Sequence, residues 1–99
     1  MRVAQYRFTE LANDDLCEMR DRVLEDNGTV VLRRIMTELD DKLKLLSDFP
    51  GMGRARPDLT DEPVFFLPFY SWFIVYHPES RPLEVLRFVS ARRHIREVF

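Results

Sequence analysis

A chain of 99 residues sets one compact domain, spanning 1–99, with one core as the expectation. Its 45% hydrophobic and 12% aromatic content excludes a disordered tract, and its formal net charge of −2 excludes a surface given over wholly to nucleic acid, so no direct DNA binding by the chain alone is expected. The single cysteine, Cys17, excludes an intramolecular disulfide and a multi-cysteine zinc site.

The opening "MRVAQYRF" has no apolar signal core, and the longest apolar run, around "FYSWFIVY", is far below the ~20 residues that span a bilayer. A soluble, cytosolic protein with no membrane partner is expected. Within "VAQYRF" the alternation sets Ala4, Tyr6 and Phe8 on one face of a half-buried strand. Thr9 follows as a helix cap, and Ala12, Leu16, Met19 and Val23 recur at helical spacing. Asn27 and Gly28 stop that helix. Thr29 is a second cap, after which Val31, Ile35, Leu39, Leu43 and Leu46 form a second apolar stripe that runs to Phe49 and Pro50. So short a turn predicts an antiparallel helical hairpin.

The period then changes. "VFFL", "FYSWFIVYH" and "LEVLRFVS" are rich in β-branched and aromatic residues, with "HPESRP" as a hairpin turn between the last two. The terminal "ARRHIREVF" is compatible with a short helix that carries Ile95 and Phe99 four apart. The order β-α-α-β-β-β predicts an α+β domain, a helical hairpin on one face of a mostly antiparallel sheet. The other face, or a free edge, is left for a partner.

Charge is distributed unevenly. Residues 1–53 hold 8 Lys/Arg against 11 Asp/Glu, whereas residues 54–99 hold 7 basic residues, all Arg, against 6 acids. Arg87, Arg92, Arg93 and Arg96 stand with His94 in a stretch free of acids. Guanidinium favours bidentate recognition of carboxylate or phosphate, so this is either a recognition patch or a solvated cluster. The loop "FPGMGRARPDL" adds Arg54 and Arg56. Its "GMG" lacks the flanking strand and helix of a phosphate-binding glycine loop and reads as a turn. Arg87 interrupts the apolar "EVLRFV" on the expected side of Val85 and Val89, where it must pair, reach solvent or serve a site. His77 and His94 sit in no ligand-spaced motif, and neither metal nor cofactor is expected.

"L..FPGMGR.RPDL", "F.VYH" with its turn, and the terminal "LRFV...R.I..VF" together resemble the ParE/RelE superfamily of type II toxin–antitoxin toxins, and most closely the ParE, or plasmid-stabilisation, branch. The resemblance covers nearly the whole chain and implies a cognate antitoxin as partner in a hetero-oligomeric complex. For the RelE-like branch it implies ribosome-dependent mRNA cleavage; for the ParE-like branch, inhibition of DNA gyrase.

By position, Arg54 and Arg56 resemble the loop cations of the nucleases and Arg93 their terminal arginine. The nuclease tyrosine falls on Phe99, which has no hydroxyl, leaving His94 as the residue available for proton transfer. The ParE pattern "R.LHGARDI..LF" is matched here at Arg87, Arg93, Ile95 and Phe99, with Ser90 in place of its histidine and His94 in place of its aspartate. Gyrase inhibition is therefore the first expectation, with Arg54, Arg56, Arg87, Arg92, Arg93 and Arg96 binding target or antitoxin. A RelE-like endoribonuclease using Arg54, Arg56, Arg93 and His94 is the alternative, and a non-toxic complex-forming member of the superfamily is a third.

Overall fold

The computed structural model describes residues 5–92. A short strand β1 (Tyr6–Phe8) leads into a helical segment α1 (Glu10–Asp48), and a 3₁₀ turn (Pro50–Met52) leads into β2 (Arg54–Ala55). Three longer strands follow: β3 (Phe65–Phe69), β4 (Trp72–His77) and β5 (Leu83–Ser90). The expected terminal helix, with Ile95 and Phe99, lies outside the described residues.

The helical segment is folded in two. Thirty-nine residues of straight helix would extend about 58 Å, but the longest dimension of the chain is 40 Å. The break is at Gly28, with φ 85° and ψ 178°, a conformation costly for any residue bearing a Cβ. The arms run in opposite directions. The first begins where Thr9 accepts from the Ala12 amide, and it meets β5 through Asp15 and Arg87. The second passes Tyr70 at Glu38 and returns to Gln5, whose carbonyl accepts from the Ser47 hydroxyl. The hairpin expected from the sequence is therefore present, although among the described residues no capping bond from Thr29 starts the second arm.

The sheet order is β1-β5-β4-β3-β2, parallel between β1 and β5 and antiparallel elsewhere. Ala12, Met19 and Val23 from the first arm and Ile35, Leu39, Leu43 and Leu46 from the second bury against Ile74, Tyr76, Leu83, Val85 and Phe88. The opposite face is not bare. Val64 and Leu59 from the long loop cover Phe66, Val75 and Val89 and form a second, smaller apolar cluster.

Three strand expectations change. The run "FYSWFIVYH" is not one strand: Phe69 pairs with Trp72, and Tyr70 and Ser71 make a two-residue turn with Tyr70 at φ 54°. β2 was not expected, and it hides inside the glycine- and proline-rich loop as two residues paired with Phe65 and Phe66. Arg87 does not share a side with Val85. Val75 pairs with Arg87 but Tyr76 pairs with Val85, so Leu86 is an extra residue on β5, and the alternation reverses across this bulge. Val85 consequently faces the helices, whereas Val89 faces away.

Candidate functional site

The loop from Phe49 to Leu59 is held by one buried side chain. Tyr76 donates its hydroxyl to the Pro50 carbonyl at 2.5 Å and accepts from the Gly53 amide at 2.9 Å. Burial raises the Tyr76 pKa, which keeps the phenol protonated as that donor. Gly53 is needed for space. A Cβ there would lie 2.6 Å from the Tyr76 hydroxyl and 2.9 Å from the Phe66 carbonyl oxygen. This anchor delivers the chain from the second arm to the sheet edge, where Arg54 stands on β2 opposite Phe66.

The pairing register sets Arg54, Phe66, Val75 and Arg87 in one row across four strands. Three strand spacings of about 4.8 Å place the backbones of the two arginines roughly 14 Å apart. The middle of the row, Phe66 and Val75, belongs to the apolar cluster on the face away from the helices, with Phe73 and Leu86 packed against it. Phe66 and Val75 are themselves buried beneath Val64 and Leu59, so what this face leaves partly open is the half-buried Phe73 and Leu86, with Arg54 and Arg87 at the ends of the row.

The cations are engaged to different degrees. Arg56 grips Asp58 with two bonds, Nε to Oδ1 at 3.0 Å and Nη2 to Oδ2 at 2.9 Å, and this contact raises its pKa. Arg87 grips Asp15 in the same bidentate way, at 2.7 and 3.0 Å, and the carboxylate likewise raises the pKa of Arg87 despite partial burial. Asp15 also accepts from the Phe88 amide at 3.0 Å. β1 ends at Phe8, so the outer edge of β5 would otherwise be open here. Thr9 donates its amide to Val85 O and its hydroxyl to Leu86 O, and Asp15 receives the next free amide. Arg54 and Arg92 are exposed, and among the described residues neither side chain has a partner.

Arg93, His94 and Arg96 lie outside the described residues, so the expected terminal patch is placed only at its start. There Ser90 accepts from the Arg92 amide at 3.3 Å and lines a polar recess of about 120 Å³ with Asp15, Glu18, Arg22, Trp72 and Phe88. Among the described residues no group of His, Cys, Asp and Glu is placed to hold a metal ion, and no helix is long and apolar enough to cross a membrane. Arg54 and Arg56, expected to act together, differ in practice: one is paired within its own turn and the other points free from an edge strand. Asp15 was missed by sequence reasoning, because nothing in "NDDL" distinguishes it from the solvated Asp14 beside it.

No curated protein matches the chain significantly. A solved structure of a chromosomal ParDE toxin–antitoxin system from P. aeruginosa is similar in fold, with a TM-score of 0.67 at 18% identity over 86% of this chain and 92% of that one. The family model for the ParE toxin of type II toxin–antitoxin systems matches residues 6–95. The chain belongs to the ParE toxin family of type II toxin–antitoxin systems.

Proposed function

We propose that this ParE-family chain acts by binding and inhibiting DNA gyrase and is neutralised by a cognate antitoxin in a hetero-oligomeric complex. The observation that carries the reading is the state of the loop cations. Arg56, one of the two loop arginines a nuclease would direct at the scissile phosphate, is neutralised by Asp58. What supports a protein contact instead is the exposed, unpaired Arg54 at the sheet edge together with the half-buried Phe73 and Leu86 on the same face, a combination of charge and apolar anchor that protein partners engage.

The test is a gyrase supercoiling assay run beside mRNA cleavage on translating ribosomes. Loss of supercoiling activity that is reversed by the antitoxin supports the proposal; ribosome-dependent cut sites without gyrase inhibition overturn it. The RelE-like alternative keeps one support, the unpaired guanidinium of Arg54, which is open to a phosphate. Antitoxin binding with inactivity in both assays would identify a complex-forming protein that has lost toxicity.

A further inference from the structure

The first helical arm and β5 advance in the same direction, and once β1 ends at Phe8 no strand among the described residues covers the outer edge of β5. Thr9 meets that edge at Val85 and Leu86, Asp15 meets it at Phe88, and Glu18 and Arg22 face Ser90 across the polar recess of about 120 Å³. At about 100° per residue, Leu11, Asp15, Glu18, Arg22 and Glu25 lie in one stripe along the arm. Asp15 is engaged by Arg87 and the Phe88 amide. Past it the stripe continues as Glu18, Arg22 and Glu25, all exposed.

Backbone groups of β5 open onto the same recess. The Phe88 amide points away from β4, to Asp15, and in a strand the amide and carbonyl of one residue share a side with those of the second residue along. The Phe88 carbonyl and the Ser90 amide and carbonyl therefore point outward as well, and among the described residues no backbone group pairs with them. Ala91 turns the other way, donating to the Ser71 carbonyl at 2.9 Å. We propose that this recess, with the stripe beside it, is the seat of residues 93–99 of the same chain, the Arg93 and Arg96 guanidiniums facing Glu18 and Glu25.

Position, length and charge select this occupant. The chain leaves β5 through a turn at Ala91 and Arg92, so the segment starts at the mouth of the recess. Seven residues reach about 10 Å as a helix and about 23 Å extended, against about 10 Å along the arm from Glu18 to Glu25, so either form spans the seat. Between Glu10 and Asp26 the first arm holds seven acids against Arg20 and Arg22, whereas residues 93–99 hold Arg93 and Arg96 against Glu97. The second arm offers no such attraction, because from Val30 to Asp48 it has four acids and four basic residues. Half-buried Trp72 adds an apolar wall for Ile95. An acidic partner that recruits Arg93 and Arg96 must then take them from the first arm. The seat is the same whatever the toxin's target.

Hydrogen exchange of the purified full chain alone, read beside acrylamide quenching of Trp72 fluorescence, tests the proposal. Trp72 is the only tryptophan, so quenching reads the recess. Seven residues are too few to hold a helix by themselves, so protection within 93–99 reports docking. In the wild type these amides are expected to exchange about tenfold or more slower than a free chain. Glu18→Arg with Glu25→Arg, and separately Arg93→Glu with Arg96→Glu, should each remove most of that protection and raise the quenching of Trp72. Combining all four restores the pairing with the charges exchanged and should recover both signals, while unchanged protection at Leu39 and Leu43 shows that the fold is kept. Free-chain exchange of 93–99 in the wild type overturns the proposal, as does protection that neither reversal alters. Protection that arises only when antitoxin is added overturns it in favour of an antitoxin segment in the recess.

Discussion

Asp15 on the first helical arm and Arg87 on β5 are joined by two hydrogen bonds, and the same Asp15 carboxylate receives the Phe88 amide. The side chains are 12% and 21% exposed, so solvent screens the contact only in part. Asp15→Ala leaves both a guanidinium and a strand amide without an acceptor, and is expected to cost about 2 kcal/mol. Asp15→Asn keeps an oxygen for the amide and should cost about 1 kcal/mol. Urea unfolding of the two variants at unchanged m-value measures the difference; equal losses would mean that the Phe88 amide does not depend on this residue.

Gly53→Ala is expected to destabilise the fold by about 1–3 kcal/mol, because the added carbon meets the Tyr76 hydroxyl in a packed interior. Tyr76→Phe removes that oxygen and with it the bonds to Gly53 and Pro50. In the double variant the clash with the hydroxyl is gone, so the two losses should sum to more than the measured one. Gly51→Ala, where a Cβ meets nothing within 4 Å, serves as the neutral control.

The helices and the long strands are legible in the sequence because each has one buried side. Ile35, Leu39, Leu43 and Leu46 recur at the helical period, and all four are buried. Asn27-Gly28 marks the fold-back because no other pair in that stretch so readily leaves helical geometry. What stays hidden depends on relations between distant segments. Tyr70 makes a turn without glycine or asparagine, inside a run whose aromatic content signals strand. The bulge at Leu86 has no local signature, and it decides the side that Arg87 takes. At the candidate site the arginines were visible as residue types, but their engagement was not, because Asp15 and Arg87 are 72 positions apart.

Tyr6 and Asp40 set opposite ends of the pH range. Burial, then the hydrogen bond at 2.5 Å to Asp40 and the charge of that carboxylate, push the Tyr6 phenol from 10.0 up to about 12. Asp40 is held below its ordinary value, first by the Tyr6 hydrogen bond and then by Lys44. A raised phenol contributes stability that is complete below its unfolded pKa and is lost as pH rises through the folded value; a depressed carboxyl contributes stability lost as pH falls through its folded value. Urea midpoints of Tyr6→Phe should therefore fall less steeply than wild type between pH 10.0 and about 12. An unchanged alkaline slope would assign that loss to another group.

Arg54 and Arg56 are two positions apart and separate the binding reading from the nuclease reading. Arg54 has no partner among the described residues and ends the row that runs through Phe66 and Val75, whereas Arg56 is held by Asp58. If the sheet face binds a protein, Arg54→Ala should weaken gyrase inhibition or antitoxin binding by about tenfold, as loss of a charged interface anchor does. Arg56→Ala should change either by less than about threefold, because its charge is already satisfied within its own turn. Titrating each variant against antitoxin and in the supercoiling assay makes the comparison on one scale. Equal losses at both positions would mean that the Arg56–Asp58 pair opens to receive a shared anionic ligand, as a phosphate-binding loop requires.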